Sequence, residues 1–326
     1  MSSVPRPLPA GLEESAFDVA SGIAAGLTPA MLRHPRLLAP HHGARSTRRP
    51  NPAGFLSDRV TARAEAYLPL LRRRVGEVFS HTTALLLLGA PIVALETLYV
   101  TVPRPHRAVR RPEIHGHTLA GRLELSSGAI PCVAPTLALI QSAPLLPFRE
   151  LVIAVDHFLA PRGRYEPRVA LLTREGLQAA AEASRSRGIS RLRAALEVAR
   201  EGAESRGESM LHFELAAMGI DDLEIQGVIR DADGNRVGRF DEVDRARKRI
   251  LEFDGEQHRT DRVQYLKDIR RREALEELGY TQRVYHTEDF SASRSADTRR
   301  AICAYLGVTP RPVARHLTRY FTEPYR

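Results

Sequence analysis

Lysine and cysteine are nearly missing from this chain. Of its 48 lysines and arginines only Lys248 and Lys267 are lysine, so arginine carries the formal net charge of +9. So strong a bias reads as the mark of a GC-rich genome and is not by itself a sign of a DNA surface. The two cysteines, Cys132 and Cys303, are far apart in sequence and fit no metal-ligand spacing. That excludes a thiolate zinc site and a disulfide framework; each lies in an apolar run and reads as a buried thiol in a reducing compartment. A clean membrane-spanning run is also missing. The longest apolar stretch, TTALLLLGAPIVALETLYVTV, is broken by Gly89, Pro91 and Glu96, which suits a buried helix followed by a strand. The opening MSSVPRPLPAGLEES has no basic segment ahead of an apolar core, so a signal peptide is not expected. The expectation is a cytoplasmic protein without a membrane partner.

What is present is enough for two or three packed domains: 326 residues, 43% of them hydrophobic. Acids outnumber bases across residues 201–300, whereas bases dominate residues 1–200 and the last 26. Attraction to nucleic acid would therefore come mainly from the N-terminal two thirds and the tail.

Punctuation divides the chain into five segments. Residues 1–50 read as a helix-turn-helix or winged-helix-like module. A helix runs from about Ala16 to Ala24, the chain turns at Gly26, and Thr28 caps a second helix with Pro29 at its first position. LLAPHHGARS forms a small wing ending in Arg45, and Arg33, Arg36 and Arg45 are the expected DNA contacts. Residues 51–160 read as a small α/β unit closed by the helix FRELVIAVDHFLAP. Residues 161–200 are a helical connector and 311–326 a tail. His81, His115 and His117 lack a carboxylate or cysteine at ligand spacing and read as surface or core histidines. Residues 201–310 carry the order αβββαβα, one α/β domain. The expected class is mixed α/β.

The chemistry concentrates in RFDEVDRARKRILEFDGEQHR. If the hairpin turns at Ala246 and Arg247, Asp241 lies opposite Glu252, and Asp254 shares the face of Glu252 through the two-residue repeat. Two like charges about 5 Å apart repel by about 3 kcal/mol at an effective dielectric near 20. Such a group persists only if solvated, partly protonated or bound to a cation, and its apolar flanks argue against full solvation. Hard carboxylate oxygens suit Mg²⁺ or Mn²⁺, which polarise a phosphate and acidify water. Glu208 adds a further carboxylate if its helix packs on the sheet.

The segments GES at 207–209, Gln226 in LEIQGVIRD, GRFD at 238–241, LEFDGEQHR at 251–259, DIRRREALEELGY at 268–280 and EDF at 288–290 stand in a familiar order. Over about residues 195–310 the chain resembles the domain of unknown function 559. That family is a branch of the restriction-endonuclease-like PD-(D/E)xK superfamily, similar to very-short-patch-repair endonucleases. The resemblance implies that Asp241 and Glu252, with Glu208, hold Mg²⁺ or Mn²⁺ for phosphodiester hydrolysis, with Gln226 near the site. Asp254 stands where the wider superfamily has lysine. His258 matches the histidine after the DG turn, as an acid/base, a phosphate contact or a loop-fixing residue. Arg239, Arg259 and Lys267 are further expected DNA contacts. Arg283 is displaced by about one position from the family's strand arginine, and only Lys267 remains to stand in for the missing lysine. FDVASGIAAGLTPAMLR, HHGAR and VFSHTTALLLLGAP resemble AbiE-type antitoxin-like proteins, which implies a DNA-binding or autoregulatory module at about residues 10–50.

Two functional readings follow. One is a magnesium-dependent endodeoxyribonuclease; the other is a non-catalytic DNA-binding regulator of a toxin–antitoxin or phage-defence system with a degenerate nuclease fold. DNA is the expected partner in both, and a toxin or repair factor the expected protein partner.

Overall fold

A computed structural model describes residues 7–13, 15–49, 51–161, 170–254 and 262–324, with the backbone alone for 262–268. The chain is mixed α/β and separates into two units, Met1–Ser142 and Ala143–Arg326. No helix among the described residues is long and apolar enough to cross a membrane.

In the first unit β1 (Phe17–Asp18) runs straight into α1 (Val19–Ala24). The helix expected from Ala16 starts three residues later, because Phe17 and Asp18 pair with a strand. Asp18 then caps it, accepting from the Ser21 amide at 3.0 Å. Gly26 turns the chain at a φ of 88°, and α2 (Pro29–Leu32) is a single turn whose N-cap Thr28 accepts from the Met31 amide. The pairing strand is β2 (Ala44–Arg45), antiparallel to β1. Leu8, Phe17, Leu27, Leu32 and Leu37 form the small core beneath these pieces.

The rest of the unit is α3 (Leu56–Leu71), β3 (Val78–Phe79), α4 (His81–Leu87), β4 (Leu98–Pro103), β5 (Arg110–Arg111), β6 (Ile114–Leu119) and α5 (Pro135–Ser142). The sheet order is β3-β4-β6-β5, with β4 and β6 parallel. His115 and His117 sit on β6 opposite Tyr99 and Thr101, and both rings stack on Tyr99, at 5.2 and 6.0 Å between centroids. His81 lies 4.1 Å from His117. Its backbone amide donates to Gln141 Oε1, which leaves Gln141 Nε2 to donate to Thr101; Thr101 in turn donates to Ser80, and Ser80 Oγ lies 2.9 Å from His81 Nδ1. Burial, with His117 and His115 beside it, pushes His81 down to about 3, so the ring is neutral at neutral pH.

The second unit opens with α6 (Phe148–Leu159), buried on every side. This helix was expected to close the small α/β unit, yet it belongs to the C-terminal one, where its largely apolar surface finds cover and Phe148 meets Phe213 at 6.1 Å. After α7 (Arg174–Ala183) and α8 (Ile189–Val198) come α9 (Arg206–Ala217), β7 (Glu224–Arg230), β8 (Arg236–Asp244), β9 (Arg249–Phe253), α10 (Arg262–Glu277) and β10 (Thr281–Tyr285). A 3₁₀ turn, α11 (Ser295–Leu306) and α12 (Arg315–Phe321) complete it. The sheet order is β10-β9-β8-β7. β7, β8 and β9 form antiparallel hairpins, and α10 is the crossover that brings β10 parallel to β9. In the β7–β8 turn the Asp231 carboxylate accepts from the amides of Asp233 and Asn235. Ile229, Phe240, Val243 and Ile250 of the sheet form a core with Leu275 of α10. Cys132 is buried, but Cys303, on α11, is only half-buried, with its thiol against the Met218 sulfur.

Candidate metal and phosphate site

Strand register assembles the site. Ile225 pairs with Glu242 and Gly227 with Phe240, which sets Gln226 opposite Asp241. Glu242 pairs with Leu251 and Asp244 with Arg249, so the turn centres on Ala246 and Arg247, and one further step sets Asp241 against Glu252. Gln226, Asp241 and Glu252 thus form one row across β7, β8 and β9.

Helix α9 delivers Glu208 to the end of that row. Ser205 caps the helix, accepting from the Glu208 amide at 3.2 Å, while Glu208 Oε2 accepts from the Glu204 amide at 2.8 Å. The first turn can approach β9 because residue 207 is glycine: a Cβ there would lie 1.9 Å from the Phe253 ring. Gln226 Nε2 then donates to Glu208 Oε2 at 2.7 Å and to Asp241 Oδ1 at 3.3 Å. Gln226 holds a φ of 53° within the strand. Left-handed backbone at a non-glycine residue costs about 1–3 kcal/mol and persists where the surroundings impose it; here the two carboxylates do so.

The electrostatics follow from burial. Asp241 is pushed up to about 6, first by desolvation and further by Glu252, although its Oδ2 accepts from the Phe253 amide at 2.8 Å. Desolvation and then Asp241 raise Glu208. Glu252 is also raised, first by desolvation, and Asp254 adds to this while Arg271 and Gln282 oppose it. Arg271 Nη2 donates to Glu252 Oε1 at 2.7 Å, and Gln282 Nε2 donates to Oε2. Asp254 closes the edge, its amide donating to Tyr285 O at 2.9 Å.

The donor chemistry fits a hard divalent cation. The carboxylates are poorly hydrated, their affinity for protons is raised, and Asp241 suffers the charge of its neighbour; a cation would relieve both costs. Were such a cation bound here, Asp241, Glu252 and Glu208 would be the residues to hold it. As the side chains stand, no three His, Cys, Asp or Glu groups among the described residues converge as a ligand set; each carboxylate is engaged by an amide or guanidinium neighbour instead.

The expected DNA contacts divide. Arg239 is occupied by Glu204, at 3.0 and 2.6 Å. Arg45 is a structural clamp, donating to Leu32 O at 2.6 Å and Ala44 O at 2.8 Å. Arg33 is exposed and donates to Pro29 O, whereas Arg36 is half-buried. His258 and Arg259 lie outside the described residues, as does the side chain of Lys267 on α10. Arg283 turns to Tyr285 and the Ala301 carbonyl, away from the carboxylates. Sequence reasoning missed Arg271 and Gln282. Gln282 was legible in principle, since parallel pairing with Ile250 aligns it with Glu252 two residues on; Arg271 was hidden among Arg270, Arg271 and Arg272, which only the phase of α10 tells apart.

A separate groove of about 680 Å³ in the second unit is lined by Arg174, Arg200, His212 and Arg311. Arg174 and Arg311 are paired with Glu201, Asp221 and Asp222. No family model, curated protein or solved structure matches the chain.

Proposed function

We propose that this chain is a cytoplasmic, metal-dependent endonuclease-like protein that hydrolyses phosphodiester bonds of DNA, built on a domain of the 559 type. The observation that carries the reading is the row Gln226–Asp241–Glu252 with Glu208 tied to it by Gln226: three half-buried carboxylates on α9, β8 and β9, two of them joined by a left-handed glutamine on β7. A Mg²⁺ or Mn²⁺ ion at Asp241, Glu252 and Glu208 would polarise the phosphate and acidify water. Gln226 orients two of the carboxylates, and the Phe253 amide fixes the second oxygen of Asp241. The test is cleavage of plasmid DNA with Mg²⁺ or Mn²⁺ beside Asp241→Asn and Glu252→Gln. Cleavage is expected to vanish in both variants, and activity that survives in both would refute the reading.

One observation favours a second reading, a non-catalytic DNA-binding regulator of toxin–antitoxin or phage-defence type. Both oxygens of Glu252 already have donors, and Asp254 stands where the superfamily pattern places lysine. That reading predicts salt-dependent DNA binding with no metal requirement.

A further inference from the structure

Arg271 reaches Glu252 through a slot made for it. Residue 238 is glycine, and a Cβ there would lie 2.7 Å from Arg271 Nε and 2.8 Å from the Phe240 ring. The guanidinium stacks on Phe240 at 4.1 Å and donates through Nη2 to the Arg239 carbonyl at 2.9 Å as well as to Glu252. Gly238, Arg239 O and Phe240 therefore fix the plane of the charge. Only part of the fork is used. Both bonds come from Nη2, and the buried Nε has no partner among the described residues. The side chain remains 33% exposed, so it meets both solvent and the carboxylate row.

We propose that Arg271 serves this site in two ways: as the counter-ion of Glu252 in the metal-free protein, and as the phosphate-holding cation once Glu252 is given over to a divalent ion. The inference rests on the metal-dependent reading above. Its first half follows from charge. Of the described cations at the row, Arg239 is spent on Glu204, which leaves Arg271 to balance Glu252. A cation arriving at Glu252 meets the positive charge of Arg271, so Arg271 lowers metal affinity. Its second half follows from geometry. A guanidinium held in plane, with unused donors and an open side, presents the fork that phosphate oxygens match. Lysine is missing from its usual strand position, and this arginine supplies positive charge from a helix instead.

The experiment compares wild type, Arg271→Gln and Arg271→Lys by Mn²⁺ calorimetry, and by binding of a DNA duplex with Ca²⁺ present and absent. Circular dichroism checks that each variant is folded. Glutamine can still hydrogen-bond Glu252 but carries no charge, so Arg271→Gln should bind Mn²⁺ about tenfold tighter, the scale of one partly screened charge. It should bind the duplex about tenfold more weakly with Ca²⁺ and unchanged without it. Arg271→Lys restores the charge but not the planar fork, so it should stay within about threefold of wild type for Mn²⁺ and fall below wild type towards Arg271→Gln for the duplex with Ca²⁺. If wild type binds Mn²⁺ and Arg271→Gln binds it no tighter, the role of Arg271 is refuted while the metal site stands. If wild type binds no Mn²⁺, the metal-dependent reading fails and this inference fails with it.

Discussion

Replacing Asp241 by asparagine should make the metal-free protein more stable at neutral pH. Burial raises this carboxyl from 3.8 to about 6, so in the folded state its charged form is the disfavoured one. Between those two values the folded chain holds a proton that the unfolded chain has lost. Stability from this group is therefore complete below about pH 4 and is lost as pH rises towards 6. At 1.36 kcal/mol per tenfold the loss approaches about 3 kcal/mol, and about 2 kcal/mol after allowing for the solvent that still reaches the group. Asparagine resembles the protonated acid in shape and bonding, keeping one acceptor for the Phe253 amide or Gln226. The expected result is a urea midpoint for Asp241→Asn that matches wild type near pH 4 and corresponds to about 2 kcal/mol more stability at pH 7. Mn²⁺ should then reverse the order. At a hundredfold excess over its dissociation constant a ligand stabilises the folded state by about 2.7 kcal/mol, a gain that the variant, lacking the charge, should not share. A variant less stable than wild type at pH 7, or equally stabilised by Mn²⁺, would refute the account of Asp241 as a strained, cation-seeking carboxylate.

Three smaller perturbations test the scaffold. Gly207→Ala pushes a methyl into the Phe253 ring and should cost about 1–3 kcal/mol in urea denaturation, with part of the loss recovered in a Gly207→Ala, Phe253→Leu double variant. At position 226, where φ is 53°, Gln226→Gly should exceed Gln226→Ala in stability by about 1 kcal/mol, since both lose the bridge to Glu208 and only glycine relieves the backbone; equal melting curves would remove the strain argument. Arg45→Ala removes two bonds to main-chain carbonyls and should lower stability by about 1–3 kcal/mol; a loss of DNA affinity with no loss of stability would restore Arg45 as a phosphate contact.

Much of the second unit was legible in its sequence. The αβββαβα order could be read because strand and helix periods differ and DADGN and LG mark the turns. The pairing of Asp241 with Glu252 followed from a single assumption about where RARK reverses, and the register bears that assumption out. The short first helix was misjudged by three residues, because Phe17 and Asp18 take their pairing from β2, far along the chain. Helix α6 was assigned to the wrong neighbour for the same kind of reason: a run as apolar as LVIAV shows that its helix must be buried, not by what.

Local composition determined the elements, their order and the hairpin that opposes two acids, because propensity, capping and register act over a few residues. Tertiary packing alone decided the rest. It set the left-handed Gln226 between Glu208 and Asp241, the glycine that lets α9 meet Phe253, and the choice of Arg271 over its two neighbours as the cation at Glu252. Those contacts join residues 15 to about 50 positions apart, and their energies depend on how completely water is excluded where they meet, which no short stretch of sequence specifies.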